Sequence, residues 1–290
     1  MTAPARSKAS PLVIRTTNEL QAWSDSCRQQ GRTIAMVPTM GALHEGHLSL
    51  VDAAAKAADV VVVSIFVNPT QFGPGEDFDA YPRTETADLE KLKGHAVEVV
   101  FAPNAAQMYP DGFATSISVG GPSMGLETDF RPHFFSGVAT VVAKLLLAAR
   151  PHFAVFGEKD YQQLQVVRRM TRDLNIGTEI IGCPTLREAD GLALSSRNAY
   201  LDAPARQKAA RLPAVLKHVI VSLEAGAPEE TALADGRAAL ERSGFEVDYL
   251  SLCDAATLGA PIPGHQRRLL VAARLGSTRL IDNMPVKAGA

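Results

Sequence analysis

The amino-acid sequence predicts an α/β protein in which a doubly wound parallel sheet is followed by a smaller α+β domain. The first observation is a series of continuous apolar runs bounded by turn residues, a pattern typical of strands buried on both faces. The second is the alternation of these runs with segments that carry apolar residues at helical spacing, as in repeated βα units. The third is length, because 290 residues are enough for two domains.

Each element follows from a local pattern. In chain order, the predicted strands of the sheet are TIAMVP, VVVVSIFV, VEVVFAP and FAVFG. The predicted helices of this first part cover residues 46–58, 87–93, 136–149 and 161–174. The alternation stops at IIGCPTLREADGLALSSRN, which has the composition of a loop, and a domain boundary is expected near Pro184.

The part of the chain after this boundary has a different pattern. Two Ala-rich helices are predicted at residues 203–225 and 229–243, and three strands at EVDYLSLCD, RRLLVAAR and TRLIDNM. The predicted domains are therefore residues 1–184 and 185–290.

The charge and the cysteine content exclude several classes of protein. A formal net charge of −2, with acidic and basic residues interspersed, gives no basic patch of the kind that nucleic-acid binding requires. The three cysteines have neither metal-ligand spacing nor a disulfide pattern, and we expect them to be reduced thiols. No segment has the pattern of a signal peptide or a membrane span. We expect a cytoplasmic protein whose basic groups bind a small anion.

The stretch PTMGALHEGHLSLV, residues 38–51, contains the first candidate site. A strand ends there in a Gly-containing loop and leads into a helix that is predicted to begin near Gly46. His47 would then lie in the first helical turn, and His44 in the loop before it. Free backbone N–H groups and the helix dipole favour a bound phosphate at such a point.

Two other interpretations of these histidines compete with phosphate binding. A zinc site is disfavoured because HEGH is one residue shorter than the His-Glu-x-x-His pattern. The other alternative is a pair of ordinary histidines that hydrogen-bond within the loop. A strand-to-helix turn is, however, where α/β sheets bind their ligands.

Five segments, PTMGALHEGH, SIFVNPTQF, YPRT, GEKDYQQL and LREADGLALSSRN, occur in this order and spacing. In these segments the chain resembles the pantothenate synthetase (pantoate–β-alanine ligase) family, with similarity from about residue 30 to the C-terminus. HEGH stands in the place of the HxGH signature of the nucleotidyltransferase-like superfamily, and LSSR in that of its second signature. The resemblance implies a Rossmann-like fold and a homodimeric ligase. Such a ligase would use ATP and Mg²⁺ to join pantoate to β-alanine through a pantoyl-adenylate, with AMP and pyrophosphate as by-products.

The resemblance also implies roles for individual residues. The implied ATP contacts are Met40, Gly41, Ala42, Leu43, His44, Glu45, Gly46, His47, Gly157, Glu158, Lys159, Asp160, Leu186, Leu194, Ser195, Ser196 and Arg197. Among them His47 is the implied proton donor and His44 contacts phosphate beside it, while Lys159 and the Ser195–Arg197 segment bind the phosphates. Gln71 and Gln163 are implied to bind pantoate, with Gln71 also near β-alanine. The first domain would hold ATP and pantoate, and the second would close over the nucleotide.

The residue types suit this chemistry. Attack of a carboxylate on the α-phosphate of ATP needs positioning and charge neutralisation more than a nucleophilic side chain, and imidazolium donors from the histidines would supply both. Lys159 offers a point charge and Arg197 a planar fork for phosphate oxygens. The glutamine amides have a donor and an acceptor for a hydroxy acid. Without the resemblance, the same side chains would be interpreted as helix caps, an exposed turn and surface glutamines.

The segment ETADLEKL, which follows YPRT, departs from the family. Relatives often have two adjacent acids where this chain has Ala87 and Asp88, and Lys91 stands at a position that is often neutral. Asp88 is therefore the one candidate Mg²⁺ ligand, and most of the metal's ligands are expected to come from the ATP phosphates. Alternatively, Asp88 simply interacts favourably with the helix dipole.

Two other functions remain open. A related HxGH enzyme would transfer a nucleotidyl group to a phosphorylated acceptor without the amine step, but the two glutamines and the lack of a second basic cluster argue against it. A non-catalytic module would bind a nucleotide only, but the intact His44, His47, Lys159 and Arg197 argue against that. Release of AMP would distinguish an enzyme from such a module.

Overall fold

A computed structural model describes residues 10–287 of the chain. The first nine residues of MTAPARSKASP, the N-terminal segment without a signal-peptide pattern, lie outside this range. The described chain forms two compact units. The first holds the chain up to Val119, His133–Glu158 and Val166–Pro184, and the second holds Gly120–Pro132, Lys159–Gln165 and the chain from Thr185 onward.

The first unit contains a six-stranded parallel sheet. Its strands are β1 (Leu12–Ile14), β2 (Ile34–Thr39), β3 (Val60–Ile65), β4 (Val99–Phe101), β5 (Phe153–Gly157) and β6 (Glu179–Cys183). The order across the sheet is β1-β4-β3-β2-β5-β6, and each neighbouring pair is parallel. In chain order, the helices up to β6 are α1 (Thr17–Gln29), α2 (Glu45–Ala57), α3 (Glu85–Leu92), α4 (Ala105–Met108), α5 (Glu127–Phe130), α6 (Phe134–Ala149) and α7 (Tyr161–Asp173). Of these, α5 and the start of α7 belong to the second unit. The predicted doubly wound α/β fold is confirmed.

The strand order places a switch point beside β2. The chain passes from β2 through α2 to β3 on one side, whereas β5 lies on the other side. Ligands of open α/β sheets bind at the carboxyl ends of strands where the order reverses in this way. Thr39 ends β2 at this point, and its hydroxyl donates to Ser64 O at 2.6 Å and accepts from Gly41 N at 3.2 Å.

The second unit contains a three-stranded antiparallel sheet covered by helices. Its strands are β7 (Glu246–Asp254), β8 (Arg267–Leu275) and β9 (Thr278–Val286), and its later helices are α8 (Ala203–Ala209), α9 (Arg211–Glu224) and α10 (Glu229–Arg242). Leu212, Leu216 and Leu240 from the helices pack with Leu269 and Val271 from β8 in one apolar core. The predicted α+β character of this part is confirmed, with the first Ala-rich helix divided at Ala210.

Several elements differ from the sequence prediction, among them β6, β1 and α1, and the four-residue helices α4 and α5 were not predicted either. Strand β6 was predicted as part of a loop, but it pairs with β5 along its whole length. It is an edge strand of only five residues, none of which is fully buried, and it therefore lacks the continuous apolar run of a central strand. Strand β1 and helix α1 were not predicted, although Thr16 and Glu19 form a capping box at the start of α1.

The sequence predicts reduced cysteines and no membrane-spanning segment, and the structure bears on both features. Cys27, Cys183 and Cys253 are free cysteines, and burial raises the pKa of each thiol, that of Cys253 to about 11. Protonated thiols are poor nucleophiles at neutral pH, so these residues are not candidates for covalent catalysis. Across residues 10–287, no helix has both the length and the apolar character that crossing a bilayer requires.

Candidate active site

The two histidines of HEGH lie where the sequence predicts them, at the N-terminus of α2. His44 is the N-cap residue and His47 is the third residue of the helix. His44 Nδ1 accepts a hydrogen bond from Gly46 N at 3.1 Å, and His47 Nδ1 accepts one from His44 N at 3.3 Å. The ring centroids are 4.1 Å apart. The histidines therefore cap the helix reciprocally and form one unit at the carboxyl end of β2.

These hydrogen bonds determine which ring nitrogen carries the proton. A neutral imidazole whose Nδ1 accepts a hydrogen bond carries its hydrogen on Nε2. Both rings therefore have the tautomer in which Nε2–H is a donor. The sequence led us to expect imidazolium donors, but the acceptor role of both Nδ1 atoms instead matches the neutral ring. A neutral donor still suits a phosphoryl oxygen that gains negative charge.

The loop before α2 has an unusual backbone. Gly41 and Ala42 both have positive φ angles, of 82° and 49°. A Cβ at Gly41 would lie 3.0 Å from Asp88 Oδ2, so a side chain here would meet that carboxylate. Asp88, on α3, is fully buried, and its oxygens accept hydrogen bonds from Ala42 N and Leu43 N at 3.0 and 2.8 Å. Glycine is thus required here by both conformation and space.

The structure gives little support to a protein-held metal ion at Asp88. Its carboxylate oxygens already accept the two backbone N–H groups and the hydroxyl of Thr84. Over the part of the chain that the structure describes, no group of three or more His, Cys, Asp or Glu side chains is arranged to hold a metal. The residues present therefore do not fit a Mg²⁺ ion bound by the protein alone.

Gln71 is buried in the 3₁₀ helix Pro69–Gln71, and its neighbours explain its fixed position. Its Nε2 lies 2.9 Å from Met40 Sδ, and its Oε1 accepts from Asn68 Nδ2 at 3.2 Å. Asn68 is buried as well, and its Oδ1 accepts from Tyr109 Oη at 2.7 Å. Asn68 is not among the site residues that the sequence predicts, although an Asn before Pro is a familiar N-cap signal.

The segment GEKDYQQL leads from β5 into α7. Gly157 is the last residue of β5, and Glu158, Lys159 and Asp160 form a 3₁₀ turn. Lys159 Nζ lies 3.6 Å from Asp160 Oδ1. Asn283 Nδ2 on β9 donates to Lys159 O at 2.8 Å, which fixes the backbone at the lysine.

The two glutamines of this segment differ in environment. Gln162 is buried, and its amide bridges Glu127 N, Pro122 O and Gly125 O. Gln163 is only partly buried. Gln162 therefore has a structural role, and the binding of pantoate by Gln163 stays a prediction.

The segment LREADGLALSSRN forms a hairpin rather than an irregular loop. Arg187 and Ala193 form a β-bridge, and Leu194 N donates to Leu186 O at 3.0 Å. Arg187 makes a bidentate ion pair with Asp282 of β9, at 2.7 and 2.9 Å. Leu186 is exposed, and Ser195 caps the 3₁₀ helix Ser196–Tyr200 by accepting from Arg197 N. The ion pair between Arg187 and Asp282 thus stabilises the hairpin that carries LSSR.

Known proteins resemble this chain along most of its length. A family model described as pantoate-beta-alanine ligase matches residues 12–285. The pantothenate synthetase of Bradyrhizobium sp. is 54% identical over 280 residues, which is 95% of this chain and 99% of the relative. The chain belongs to the pantoate–β-alanine ligase family.

Solved structures of the ligase family have the same fold. The crystal structure of pantothenate synthetase from Thermus thermophilus matches with a TM-score of 0.86 and 45% identity, over 94% of this chain and 98% of that one. The pantoate-beta-alanine ligase from Francisella tularensis, solved in complex with beta-gamma ATP and beta-alanine, matches with a TM-score of 0.79 and 34% identity. That match covers 94% of this chain and 97% of the other.

Proposed function

We propose that this chain is an AMP-forming ligase that condenses pantoate with β-alanine through a pantoyl-adenylate. The observation that carries this proposal is the reciprocal histidine cap at the carboxyl end of β2, in a chain of the pantoate–β-alanine ligase family. The related Francisella tularensis ligase, solved with beta-gamma ATP and beta-alanine, supports ATP and β-alanine as substrates.

In this proposal the histidines bind the α-phosphate of ATP. The N-terminus of α2 contributes its dipole, and the Nε2–H groups of His44 and His47 donate to the phosphoryl oxygens. His47 donates most strongly as negative charge grows in the transition state. Donors that are held in position before reaction stabilise such charge without the cost of reorganisation. The remaining implied ATP contacts are proposed to place backbone next to the nucleotide; they are Met40, Gly41, Ala42, Leu43, Glu45, Gly46, Gly157, Glu158, Asp160, Leu186 and Leu194.

The other cations are proposed to bind the departing phosphates. Lys159 would act as a point charge on the β- and γ-phosphates, and Arg197, with the hydroxyls of Ser195 and Ser196, as a bidentate donor. Mg²⁺ would arrive with the substrate as Mg·ATP. Gln71 and Gln163 would hold the hydroxyl and carboxylate groups of pantoate. The 185–290 domain is proposed to close over the nucleotide and to protect the adenylate from water.

The proposed reaction has two steps. A carboxylate oxygen of pantoate attacks the α-phosphorus, and the bond to the bridging oxygen of pyrophosphate breaks. The amine of β-alanine then attacks the acyl carbon, loses a proton and expels AMP. The products are pantothenate, AMP and pyrophosphate. One oxygen atom of the pantoate carboxylate leaves with AMP.

The transfer of that oxygen provides the test. Pantoate labelled with ¹⁸O in its carboxylate should deliver one labelled oxygen to AMP, measured by mass spectrometry of the purified nucleotide. ADP with label in inorganic phosphate would refute attack at the α-phosphorus, because it indicates an acyl phosphate. Release of pyrophosphate with the nucleotidyl group kept on a phosphorylated acceptor, and with neither free AMP nor pantothenate formed, would instead support the nucleotidyl-transfer alternative.

Two further properties are proposed from the family resemblance. The protein would be cytoplasmic, and it would be a homodimer. Sedimentation equilibrium at micromolar concentration should give twice the mass of one chain. A monomer mass under these conditions would contradict the dimer.

A further inference from the structure

Two side chains of α3 contact the loop that precedes the histidines. Asp88 accepts hydrogen bonds from Ala42 N and Leu43 N, at 3.0 and 2.8 Å, while Lys91 Nζ donates to Leu43 O at 2.5 Å. The two side chains are three residues apart and therefore project from the same helical face. Together they bind two consecutive N–H groups and the following carbonyl of one short loop.

The conformation of the loop explains why it needs such partners. Positive φ angles at Gly41 and Ala42 turn consecutive N–H groups toward the same point, as in the backbone concavities that bind anions. Ala42 is a non-glycine residue in the left-handed region, which is disfavoured unless surrounding contacts hold it there. Buried backbone N–H groups also require an acceptor. The Asp88 carboxylate occupies this concavity as a built-in anion.

This arrangement is hard to combine with metal binding. A Mg²⁺ ion at Asp88 would compete with the N–H groups of Ala42 and Leu43 and with the Thr84 hydroxyl for the same oxygen lone pairs. Losing those bonds would leave buried donors unsatisfied. The Lys91 ammonium, which binds the loop from the same helical face, adds a positive charge on the side from which a cation would have to be held.

We propose that Asp88 and Lys91 are positioning residues that hold the Gly41–Leu43 loop, and through it His44 at the N-cap of α2, and that Asp88 is not a Mg²⁺ ligand. This role rests on the proposed function only in that the positioned histidines act on ATP. The contacts themselves involve only residues of this chain. Lys91, which departs from the family pattern, is then a second contact to the loop rather than the replacement of a metal ligand.

The test compares three variants of the whole enzyme. Asp88→Asn keeps the size of the side chain but replaces one acceptor with an NH₂ group, which opposes a backbone N–H. Lys91→Met removes the donor to Leu43 O and keeps an unbranched apolar stem. Glu90→Gln is the matched control, because Glu90 is an exposed carboxylate on the same helix that pairs with Lys93.

The first measurement is amide hydrogen exchange at Ala42 and Leu43, by NMR without nucleotide or metal. We expect exchange about 10- to 100-fold faster in Asp88→Asn, since hydrogen bonds to a charged acceptor are lost. Exchange at Leu43 should also be faster in Lys91→Met and unchanged in Glu90→Gln. Parent-like exchange in both Asp88→Asn and Lys91→Met would overturn the positioning role. If Asp88→Asn does not fold, Lys91→Met decides this point.

The second measurement separates positioning from metal binding. Mn²⁺ alone is titrated into the nucleotide-free enzyme and followed by electron paramagnetic resonance. We expect Asp88→Asn to remove no Mn²⁺ site that the parent has. The Mg²⁺ concentration that gives half-maximal activity should be within about 2-fold of the parent's, while kcat of this variant should be about 10-fold lower or more. A Mn²⁺ site in the parent that is lost in Asp88→Asn would overturn the proposal. Neither exchange nor Mn²⁺ binding depends on which products form, so failure here is distinct from failure of the ¹⁸O test.

Discussion

His47 has a role in the helix cap and a proposed role in catalysis, and a pair of substitutions distinguishes the two. Its Nδ1 accepts from His44 N as part of the helix cap, while Nε2 is the proposed donor to ATP. His47→Asn places an amide oxygen near the position of Nδ1 but has no donor at the position of Nε2. His47→Gln reaches the position of Nε2 with an N–H group but loses the acceptor close to the backbone.

The expected effects differ in kind. The cap bond of 3.3 Å is long, and loss of a helix cap typically costs about 1 kcal/mol of unfolding free energy. Loss of one donor to a developing oxyanion typically lowers kcat about 10²–10³-fold, or about 2.7–4 kcal/mol. His47→Asn should therefore be about as stable as the parent but roughly 10²–10³-fold slower. His47→Gln should be less stable but should recover part of the rate.

Two assays and one control decide the outcome. Pantothenate formation under saturating substrates gives kcat, and urea denaturation gives the free energy of unfolding. Ser49→Ala is the control, because its hydroxyl donates to Gly46 O in the same helical turn at 2.8 Å without a proposed ligand contact. Normal turnover by His47→Asn would refute the assignment of Nε2 as a catalytic donor. An equal loss in all three variants would show that only the helix turn matters.

Two further predictions concern packing and pH. Gly137→Ala places a Cβ 2.8 Å from Gln71 N, so the 3₁₀ helix that contains Gln71 must move. We expect a higher KM for pantoate and a smaller change in the KM for ATP. Equal changes in the two KM values would contradict this prediction. Burial lowers the pKa of His152, with a smaller contribution from Arg28, and its Nδ1 accepts from Ile34 N at 3.0 Å. The folded state therefore favours neutral His152, and its contribution to stability is present above the unfolded pKa of about 6.5 and lost as pH falls through the folded value. The difference in unfolding free energy between the parent and His152→Asn should shrink as the pH is lowered from neutral through this range, and a pH-independent difference would contradict the prediction.

The sequence predicted elements best where one local pattern decided the structure. Buried runs such as VVVVSIFV and the helix that follows His44 are determined by neighbours a few residues away, and the structure agrees to within a few residues. Strand β6 was missed because an edge strand buries too little for its apolar pattern to be continuous. The LSSR hairpin was predicted as a loop because its base depends on Asp282, which is 95 residues beyond Arg187 along the chain.

The residues of the candidate site also fall into those that a local sequence pattern marks and those that it does not. Residues proposed to touch ligand stand at the ends of strands and starts of helices, where short motifs mark them. The residues that hold them are distant in sequence: Asp88 binds N–H groups 45 and 46 residues away, and Asn283 binds Lys159 O from 124 residues away. No local pattern pairs such residues, because the pairing exists only once the sheets have formed.

The contacts at these distant positions share one chemical feature. Asp88 and Asn283 both bind the backbone of the segment they hold, not the side chain that is proposed to meet the ligand. A hydrogen bond to the backbone fixes the position of the Cα atom, while the polar end of the side chain can still orient toward the ligand. A substitution at an anchor should therefore change kcat more than the binding of any single substrate, since it misplaces a donor in the transition state without removing it. A substitution at Lys159 or Arg197 should instead weaken ATP binding directly, and the ratio of the two effects on kcat and KM distinguishes an anchor from a contact.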